Sequence, residues 1–309
     1  MAAEPSVPSV PGLLVVGDLV TDVVALHATP LTADTDTAAG IALRPGGSAA
    51  NTAAWAARAV DGGSERVTLL SRVGEDSADW HRDALERVGV RPCLRVDRER
   101  PTAVVIVLVN AAGERTFVTD RGASGALGPA DWDDALLDRV GRLHLSGYLL
   151  FGAPGRALAA QAVVRAAARG IAVSVDPASV GFLREHGPSR FLDLLGGVEL
   201  LLPNLDEARE LTGVTDPEDA ARALSARCHC VVALKLGAAG ALVADHGTLL
   251  GAVPGLPTAP LDSTGAGDAF AGGLLAARLA GADWLEAAAA GCRAGAHAVG
   301  LVGGRPPAR

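Results

Sequence analysis

The chain has 309 residues, of which 49% are hydrophobic, and a formal net charge of −8 at pH 7. This length allows a large buried core, and the arginines are scattered among acidic residues without a basic stripe, which argues against a nucleic-acid partner. No stretch reaches the roughly 18 apolar residues of a membrane span, so we expect no membrane partner.

The N-terminal segment and the cysteines indicate a compartment. Residues 1–12 are rich in Pro, Ser and Ala and lack the basic and apolar regions of a secretory signal. The four cysteines are too few and too irregularly spaced for a disulfide framework or a paired metal site. They are Cys93, Cys228, Cys230 and Cys292. We therefore expect a cytoplasmic protein with reduced thiols.

Apolar runs typical of buried strands alternate with helical patterns along most of the chain. The predicted strands cover 13–17, 67–73, 143–145, 171–176, 200–203 and 231–236. The predicted helices cover 52–60, 76–87, 156–169, 216–226, 268–279 and 285–298. Repeated strand–helix units predict a single α/β domain over residues 1–309, with a mainly parallel central sheet that helices cover on both faces.

The first polar motif spans residues 44–51, with the sequence Arg-Pro-Gly-Gly-Ser-Ala-Ala-Asn. Its paired glycines, Gly46 and Gly47, allow other groups to approach the backbone closely. Asn51 opens a predicted helix, and its amide both donates and accepts hydrogen bonds. Amides of this kind bind polyols, so the motif is a candidate sugar site.

Asn204 and Glu207 follow the strand predicted at 200–203. Their spacing is that of a capping box, in which each side chain bonds the backbone N–H of the other residue. Taken alone, this spacing favours a helix cap over a functional role.

Lys235 stands at the end of the strand predicted at 231–236, before a turn that contains Gly237 and Gly240. It is the only lysine in the chain. An ammonium group there could meet phosphates as a compact point charge. A general preference for arginine explains a single lysine equally well.

The most informative stretch is 262–275, where small residues lead directly into a helix. Gly265, Ala266 and Gly267 have almost no side chains, so their backbone N–H groups can meet an anion at the positive end of that helix. Asp268 lies in the first turn and could accept a proton from a hydroxyl. A tight connection with a helix-stabilising charge is the structural alternative. A Walker-A run is absent from the sequence, and the third small residue of a dinucleotide fingerprint is missing.

Together, the Gly-Gly-x-x-x-Asn motif and the Asp-Ser-Thr-Gly-Ala-Gly-Asp run closely resemble the two signatures of the ribokinase-like (PfkB) carbohydrate kinases. Further matches follow in the order of that family over nearly the whole chain. The resemblance implies an ATP-dependent kinase in which Asp268 is the catalytic base and Gly265, Ala266 and Gly267 stabilise the transferring phosphate.

The resemblance also implies roles for the other motifs. Asp22, after the first strand, would bind the sugar together with Gly46, Gly47 and Asn51. The groups near ATP would be Asn204, Lys235, Gly237 and Gly240. Glu207 would organise water around Mg²⁺. Asp262 and Thr264 would surround a monovalent cation, as in many relatives, which implies activation by K⁺.

Two regions, 23–43 and 93–118, break the alternation of strands and helices. In the family that the chain resembles, such insertions form a small β-sheet lid that closes over the sugar and often pairs between subunits. An exposed apolar face on this lid would favour a homodimer.

The identity of the acceptor is open. Residues 143–148 resemble a strand of the ribokinases from which a Glu contacts the sugar. This chain has Gly147 near the position of that Glu. We expect transfer of the ATP γ-phosphate to a hydroxyl of a small sugar or related polyol. A nucleoside kinase of the same fold is one alternative, although the chain has few aromatic residues for base contacts. A non-catalytic sugar- or nucleotide-binding regulator is the other, and Asp268 and Glu207 argue against it.

Overall fold

The structure, a computed structural model, describes residues 11–60, 66–112 and 114–308. Of the N-terminal segment interpreted as a loose tail, residues 1–10 lie outside these ranges, and Gly12 already belongs to the first strand. Within the described ranges, no helix combines the length and apolar character needed to cross a bilayer.

The strands form two sheets. In chain order they are β1 (Gly12–Val16), β2 (Val20–Leu26), β3 (Gly40–Gly46), β4 (Val67–Gly74), β5 (Arg91–Asp97), β6 (Ala103–Val109), β7 (Arg115–Asp120), β8 (Val140–Ser146), β9 (Ala172–Asp176), β10 (Leu200–Leu201), β11 (Val231–Lys235), β12 (Gly240–Asp245) and β13 (Thr248–Pro254). All six predicted strands are present, with small shifts at their ends.

Within the described ranges, helices lie in five of the connections between consecutive strands and follow β13. They are α1 (Ser48–Ala59), α2 (Ala78–Arg87), α3 (Gly147–Leu150), α4 (Ala153–Ala167), α5 (Val180–His186), α6 (Pro188–Leu192), α7 (Leu205–Thr212), α8 (Pro217–Cys228), α9 (Ala266–Leu279) and α10 (Trp284–Ala298). The six predicted helices correspond to α1, α2, α4, α8, α9 and α10.

The large sheet has nine strands in the order β13-β12-β11-β10-β9-β8-β1-β4-β5. Seven of them, from β11 to β5, run parallel, and β12 and β13 add an antiparallel hairpin at one edge. β1 lies between β8 and β4, with Val16 opposite both Leu145 and Leu70. The strand order reverses between β1 and β8, and open α/β sheets bind ligands at the carboxyl ends of strands at such a point.

The core lies on both faces of the large sheet. Alternate side chains of β1 point to opposite faces: Leu14 and Val16 pack beneath α4, whereas Leu13 and Val15 pack beneath α1 and α9. All four side chains are fully buried. Two apolar faces explain why the strands are continuous apolar runs rather than alternating patterns.

The small sheet has four strands in the order β3-β2-β6-β7, with β2 and β6 parallel and the outer pairs antiparallel. Its bounds differ from the predicted insertions, because β2 starts at Val20 and β3 ends at Gly46. The second insertion was predicted to start at residue 93, and this start is wrong. Residue 93 belongs to β5, which pairs in parallel with β4 in the large sheet. Asp97, at the end of this edge strand, pairs with Arg72 of the neighbouring strand β4, with 2.9 Å between Nε and Oδ2.

A close helix crossing brings two parts of the chain together that are far apart in sequence. Gly272 of α9 packs against the backbone of α1, and a Cβ atom there would lie only 2.7 Å from both the Thr52 carbonyl oxygen and the Ala56 nitrogen. A residue with a side chain would push the two helices apart. The start of α1 and the first turn of α9 are thereby held within hydrogen-bond distance of each other.

Candidate functional site

A cavity of about 290 Å³ opens at the carboxyl ends of the central strands, beneath the small sheet. Residues from both sheets line it. Those predicted from the sequence to belong to the site are Asp22, Gly47, Asn51, Asn204, Glu207, Lys235, Thr264, Gly265, Gly267 and Asp268. We call this space the acceptor cavity.

Asp18, just after β1, organises one wall of the acceptor cavity. Its carboxylate accepts the backbone N–H of Ser48 at 2.6 Å and of Ala49 at 3.3 Å, at the start of α1. It also accepts the hydroxyl of Ser146, at the end of β8, at 2.7 Å. An anion at the positive end of a helix is favourable. Asp18 therefore connects the start of α1 to the ends of β1 and β8, where the strand order reverses.

The predicted sugar motif folds tightly around the entrance to α1. Gly47 has φ 103°, and a Cβ atom there would lie 2.6 Å from the carbonyl oxygen of Asp18, so only glycine fits without strain. A Cβ atom on Gly46 would collide with the carboxylate of Asp22. Burial raises the pKa of Asp22 to about 6, although the charge of Arg305 opposes this.

Asp268 lies in the first turn of α9 with its carboxylate fully engaged by α1. Its Oδ1 accepts the Ser48 hydroxyl at 2.8 Å, and its Oδ2 accepts Nδ2–H of Asn51 at 2.9 Å. Burial raises the pKa of Asp268 to about 7, against the lowering effect of these two hydrogen bonds. A fixed carboxylate that ionises near neutral pH is suited to general-base chemistry.

The turn before Asp268 presents free backbone donors. Gly265 caps α9 with φ 72°, in the left-handed region. The N–H of Ala266 reaches the carbonyl of Ser263 at 3.3 Å, whereas the N–H groups of Gly265 and Gly267 have no acceptor among the described residues. These donors at a helix N-terminus form a site that can bind an anion.

Asn204 and Glu207 do form the predicted capping box at the start of α7. Each side chain accepts the other residue's backbone N–H at 2.9 Å, and Nδ2 of Asn204 also donates to Glu207 Oε1 at 2.7 Å. Glu207 is nevertheless in the wall of the acceptor cavity, with only 2% of its surface exposed. Burial raises its pKa to about 7, while the charge of Lys235 lowers it. The pair is therefore both a helix cap and part of the candidate site.

Lys235 is an ion-pair partner as well as a candidate phosphate ligand. Its Nζ lies 2.5 Å from Oδ2 of Asp176, at the end of β9. Burial alone would lower the pKa of Lys235, but the carboxylates of Asp176 and Glu207 raise it above its ordinary value. The ammonium group therefore stays charged inside the site.

A second cavity, of about 340 Å³, adjoins the first on the other side of the start of α9. Its walls include the predicted residues Gly237, Gly240 and Ala266, and the apolar side chains of Leu256, Phe270 and Val299. Lys235 and Gly267 line both cavities. The anion-binding turn and the lysine thus stand where the two spaces meet.

Like Gly46, Asp262 is a predicted residue that lines neither of the two cavities. Its carboxylate accepts Nη2–H of Arg115, on β7, at 2.5 Å, and the backbone N–H groups of Thr264 and Gly303 at 2.8 and 2.9 Å. Thr264 lines the acceptor cavity. The structure therefore places Asp262 in a contact between the small sheet and the loop before α9.

Gly147 cannot be replaced by the glutamate that ribokinases have near this position. A Cβ atom there would lie 2.5 Å from the carbonyl oxygens of Asp176 and Pro177. Asp120 and Arg121 also line the acceptor cavity. Asp120 accepts the backbone N–H of Gly122 at 3.0 Å, and Arg121 donates to the Tyr148 carbonyl at 2.7 Å.

Sequence reasoning missed several residues that hold the site together. Ser48 contacts Asp268, Asp176 pairs with Lys235, and Arg305 donates to the Gly46 carbonyl at 2.9 Å and to Oδ1 of Asn51 at 3.4 Å. Asp176 ends a predicted strand of a parallel sheet. Because ligands bind at the carboxyl ends of such strands, this position could have identified Asp176 as a site residue. Arg305 follows the last helix and carries no local signal.

These residues are suited to a magnesium ion that is held through water and substrate phosphates, and not by protein side chains alone. The described residues contain no cluster of three or more His, Cys, Asp or Glu side chains that would hold a metal directly. Mg²⁺ commonly keeps several waters and is held by one or two carboxylates together with substrate phosphates. Glu207, beside the junction of the two cavities, is suited to that arrangement.

Comparisons with known proteins agree with this geometry. The sequence model of the pfkB family carbohydrate kinases matches residues 11–309. The 2-dehydro-3-deoxygluconokinase of Thermoproteus tenax is 31% identical over 249 residues, which are 77% of this chain and 75% of that protein. The adenosine kinase structure from Sinorhizobium meliloti has a TM-score of 0.85 at 25% identity over 96% of both chains. The ribokinase from Thermotoga maritima has a TM-score of 0.81 at 22% identity over 97% of both chains. The ribokinase-like fold and the family resemblance predicted from the sequence are confirmed.

Proposed function

The chain belongs to the pfkB family of carbohydrate kinases, and on that premise we propose that it transfers the γ-phosphate of ATP to a hydroxyl of a small, uncharged sugar or polyol. The observation that carries the proposal is the position of Asp268. Its carboxylate is half-buried, fixed by Ser48 and Asn51, and next to the N–H groups of Gly265 and Gly267, which have no acceptor among the described residues. A base and an anion-binding turn are the two groups that phosphoryl transfer to an alcohol requires.

The proposed reaction uses one proton transfer and one phosphoryl transfer. Asp268 takes the proton from the acceptor hydroxyl as that oxygen bonds to the γ-phosphorus, and the bond from the γ-phosphorus to the bridging oxygen breaks to release ADP. The N–H groups of Gly265 and Gly267 and the ammonium of Lys235 stabilise the charge on the phosphoryl oxygens. Magnesium, when bound with ATP near Glu207, would neutralise part of the phosphate charge.

The second cavity is the proposed ATP site. Its apolar walls around Leu256, Phe270 and Val299 suit a flat heterocycle. The phosphates would then extend towards Lys235 and Gly267, which line both cavities. Gly237 and Gly240, in the turn between β11 and β12, would border the nucleotide.

The charges of the acceptor cavity favour a neutral acceptor. The carboxylates of Asp18, Asp22 and Asp120 line it, and its cationic groups are Arg121 and the already paired Lys235. An anionic acceptor would face more negative than positive charge, whereas carboxylates accept hydrogen bonds from sugar hydroxyls. Ribose is not favoured, because Gly147 leaves no room for the glutamate that ribokinases use.

One observation favours a nucleoside as a second candidate acceptor. Val105, Val107 and Phe117 of the small sheet, together with Tyr148, form an apolar wall of the acceptor cavity. A nucleobase could pack on this wall while the ribose hydroxyls meet Asp22 and Asn51. The neutral sugar stays the first candidate, because aromatic side chains that could pack on a base make up only 3% of the chain.

A panel of acceptors tests both candidates. We would measure ADP release with neutral pentoses and hexoses, keto-sugar acids and nucleosides, each at several concentrations. We expect the highest kcat/KM for a neutral sugar. A nucleoside as the best substrate would favour the second candidate, and a keto-sugar acid would contradict the charge argument. Binding without turnover for every acceptor would indicate a non-catalytic regulator.

We also propose a cytoplasmic homodimer that pairs through the outer face of the small sheet. A row of apolar side chains crosses that face, in which Leu43, Ile106 and Val118 are 65%, 40% and 55% exposed. Covering such a row with the same row of a second copy would be favourable. Light scattering of the wild type and of Ile106→Lys tests this, with a monomeric wild type as the contradicting result.

A further inference from the structure

Arg115 and Asp262 join the small sheet to the loop that leads into the anion-binding turn. Nη2 of Arg115 lies 2.5 Å from Oδ1 of Asp262, and Nη1 donates to the Ser263 hydroxyl at 3.0 Å. Their side chains are only 20% and 17% exposed. The two residues are 147 positions apart in the chain, so the contact depends on how the two sheets are placed.

The groups around Asp262 do not fit the monovalent cation that the family resemblance implies. Oδ1 already accepts Arg115 and the N–H of Thr264, and Oδ2 accepts the N–H of Gly303. A cation bound to this carboxylate would be repelled by the guanidinium beside it. Burial would raise the pKa of Asp262, but the backbone donors and the charge of Arg115 lower it overall.

We propose that the guanidinium of Arg115 takes the place of a monovalent cation at Asp262 and orders the anion-binding turn when the small sheet covers the acceptor cavity. Arg115 is a positioning residue: it holds Asp262, Asp262 holds the backbone of Thr264, and Thr264 precedes Gly265. β7 also carries Phe117 and Thr119, which line the acceptor cavity. The strand that helps to line the acceptor cavity is therefore also the strand that holds Arg115 against Asp262.

The first test compares cation dependence at constant ionic strength, with K⁺ replaced by tetramethylammonium. This arm rests on the proposed kinase function. This replacement should change the kcat of the wild type by less than about twofold. The same holds for the control Arg91→Met, which alters an exposed arginine of β5. Arg115→Met should lose about tenfold or more in kcat in tetramethylammonium, with a smaller change in the KM for ATP, and K⁺ should restore part of the loss.

Arg115→Lys separates charge from geometry. A lysine supplies one point charge but not the fork that spans Asp262 and Ser263, so this variant should stay independent of K⁺ while its kcat lies between those of the wild type and Arg115→Met. A wild type that loses about tenfold in kcat without K⁺ would overturn the proposal. So would wild-type kcat in Arg115→Met.

The second test does not use turnover. Hydrogen exchange at the amides of Thr264 and Gly303, which are bonded to Asp262, should be about tenfold faster in Arg115→Met and unchanged in Arg91→Met. Unchanged exchange in Arg115→Met would refute the role of Arg115 even if the kinase is active. Faster exchange in a protein without kinase activity would support the contact and refute the proposed function, so the two failures are distinguishable.

Discussion

Lys235 and Asp176 form an ion pair, with 2.5 Å between Nζ and Oδ2, at the junction of the two cavities. The ammonium is held by a protein carboxylate and also faces the space proposed for the transferring phosphate. Its positive charge therefore contributes both to the stability of the folded protein and to the proposed binding of ATP. These two contributions can be separated by mutation.

Lys235→Met should destabilise the protein and weaken ATP binding. Removing one partner of a buried pair leaves the carboxylate of Asp176 uncompensated, at a cost of about 3–5 kcal/mol in the free energy of unfolding. The double variant Lys235→Met/Asp176→Asn should recover most of this stability but not the affinity for ATP. Denaturant unfolding and nucleotide titration check the two effects. Recovery of ATP affinity in the double variant would show that Lys235 has no role at the phosphates.

Asp268→Asn should keep the fold and the ATP affinity but lower kcat by roughly 10²-fold or more, because the near-isosteric amide cannot accept the proton. Steady-state kinetics on the best acceptor measures the loss. Circular dichroism and ATP titration are the controls. Near-wild-type turnover in a correctly folded variant would remove Asp268 from the role of base.

The pH dependence should report the same carboxylate. Burial raises the pKa of Asp268 to about 7, and only the ionised form accepts a proton, so kcat/KM should rise with pH through about 7 and then level off. The residual kcat/KM of Asp268→Asn should lack this rise. A wild-type profile that is flat between about pH 5.5 and 8 would contradict the assignment.

Asp22→Asn should raise the KM for the acceptor by about 10-fold or more and leave the KM for ATP nearly unchanged, because it weakens hydrogen bonds to a charged group on the acceptor side only. Asp79→Asn, at a 98% exposed side chain on α2, is the matched control. Asn51→Ala should also lower kcat, since Asn51 donates to Asp268. Equal losses for acceptor and ATP in Asp22→Asn would disprove the division into two cavities.

Glu207→Gln should shift the magnesium dependence of turnover to higher concentration, because an amide organises the waters of Mg²⁺ less strongly than a carboxylate. The glutamine oxygen can still accept the backbone N–H of Asn204, so α7 keeps its cap. Titration of the initial rate with Mg²⁺ and a thermal melt give the two readouts. An unchanged magnesium profile with normal stability would leave Glu207 as a helix cap alone.

Much of the fold could be predicted because its signals are local. Parallel strands buried on both faces produce continuous apolar runs, and helices of the amphipathic type follow them in order. β5 (Arg91–Asp97) was missed because an edge strand needs fewer apolar residues and its polar side chains resemble a connection. The capping box at Asn204 and Glu207 was predicted from spacing, and its place in the cavity wall was known only through the family resemblance.

The candidate site was predictable where one motif contains both the backbone turn and the side chain, as at Gly265 and Asp268. It was not predictable where the partner lies far along the chain. Arg115 meets Asp262, and Arg305 meets Asn51, only after the two sheets and the last helix are in place. No local pattern encodes such contacts, because they depend on packing.

The acceptor side of the site uses residues from both ends of the chain, and this has a consequence for protein synthesis. Asn51 emerges from the ribosome early, but its partners Asp268 and Arg305 are translated near the end. Because domains form as the chain is made from its N-terminus, a nascent chain can assemble β1, β4 and α1 before any base is present. A message cut short before codon 305 would yield a chain that lacks the guanidinium beside Asn51.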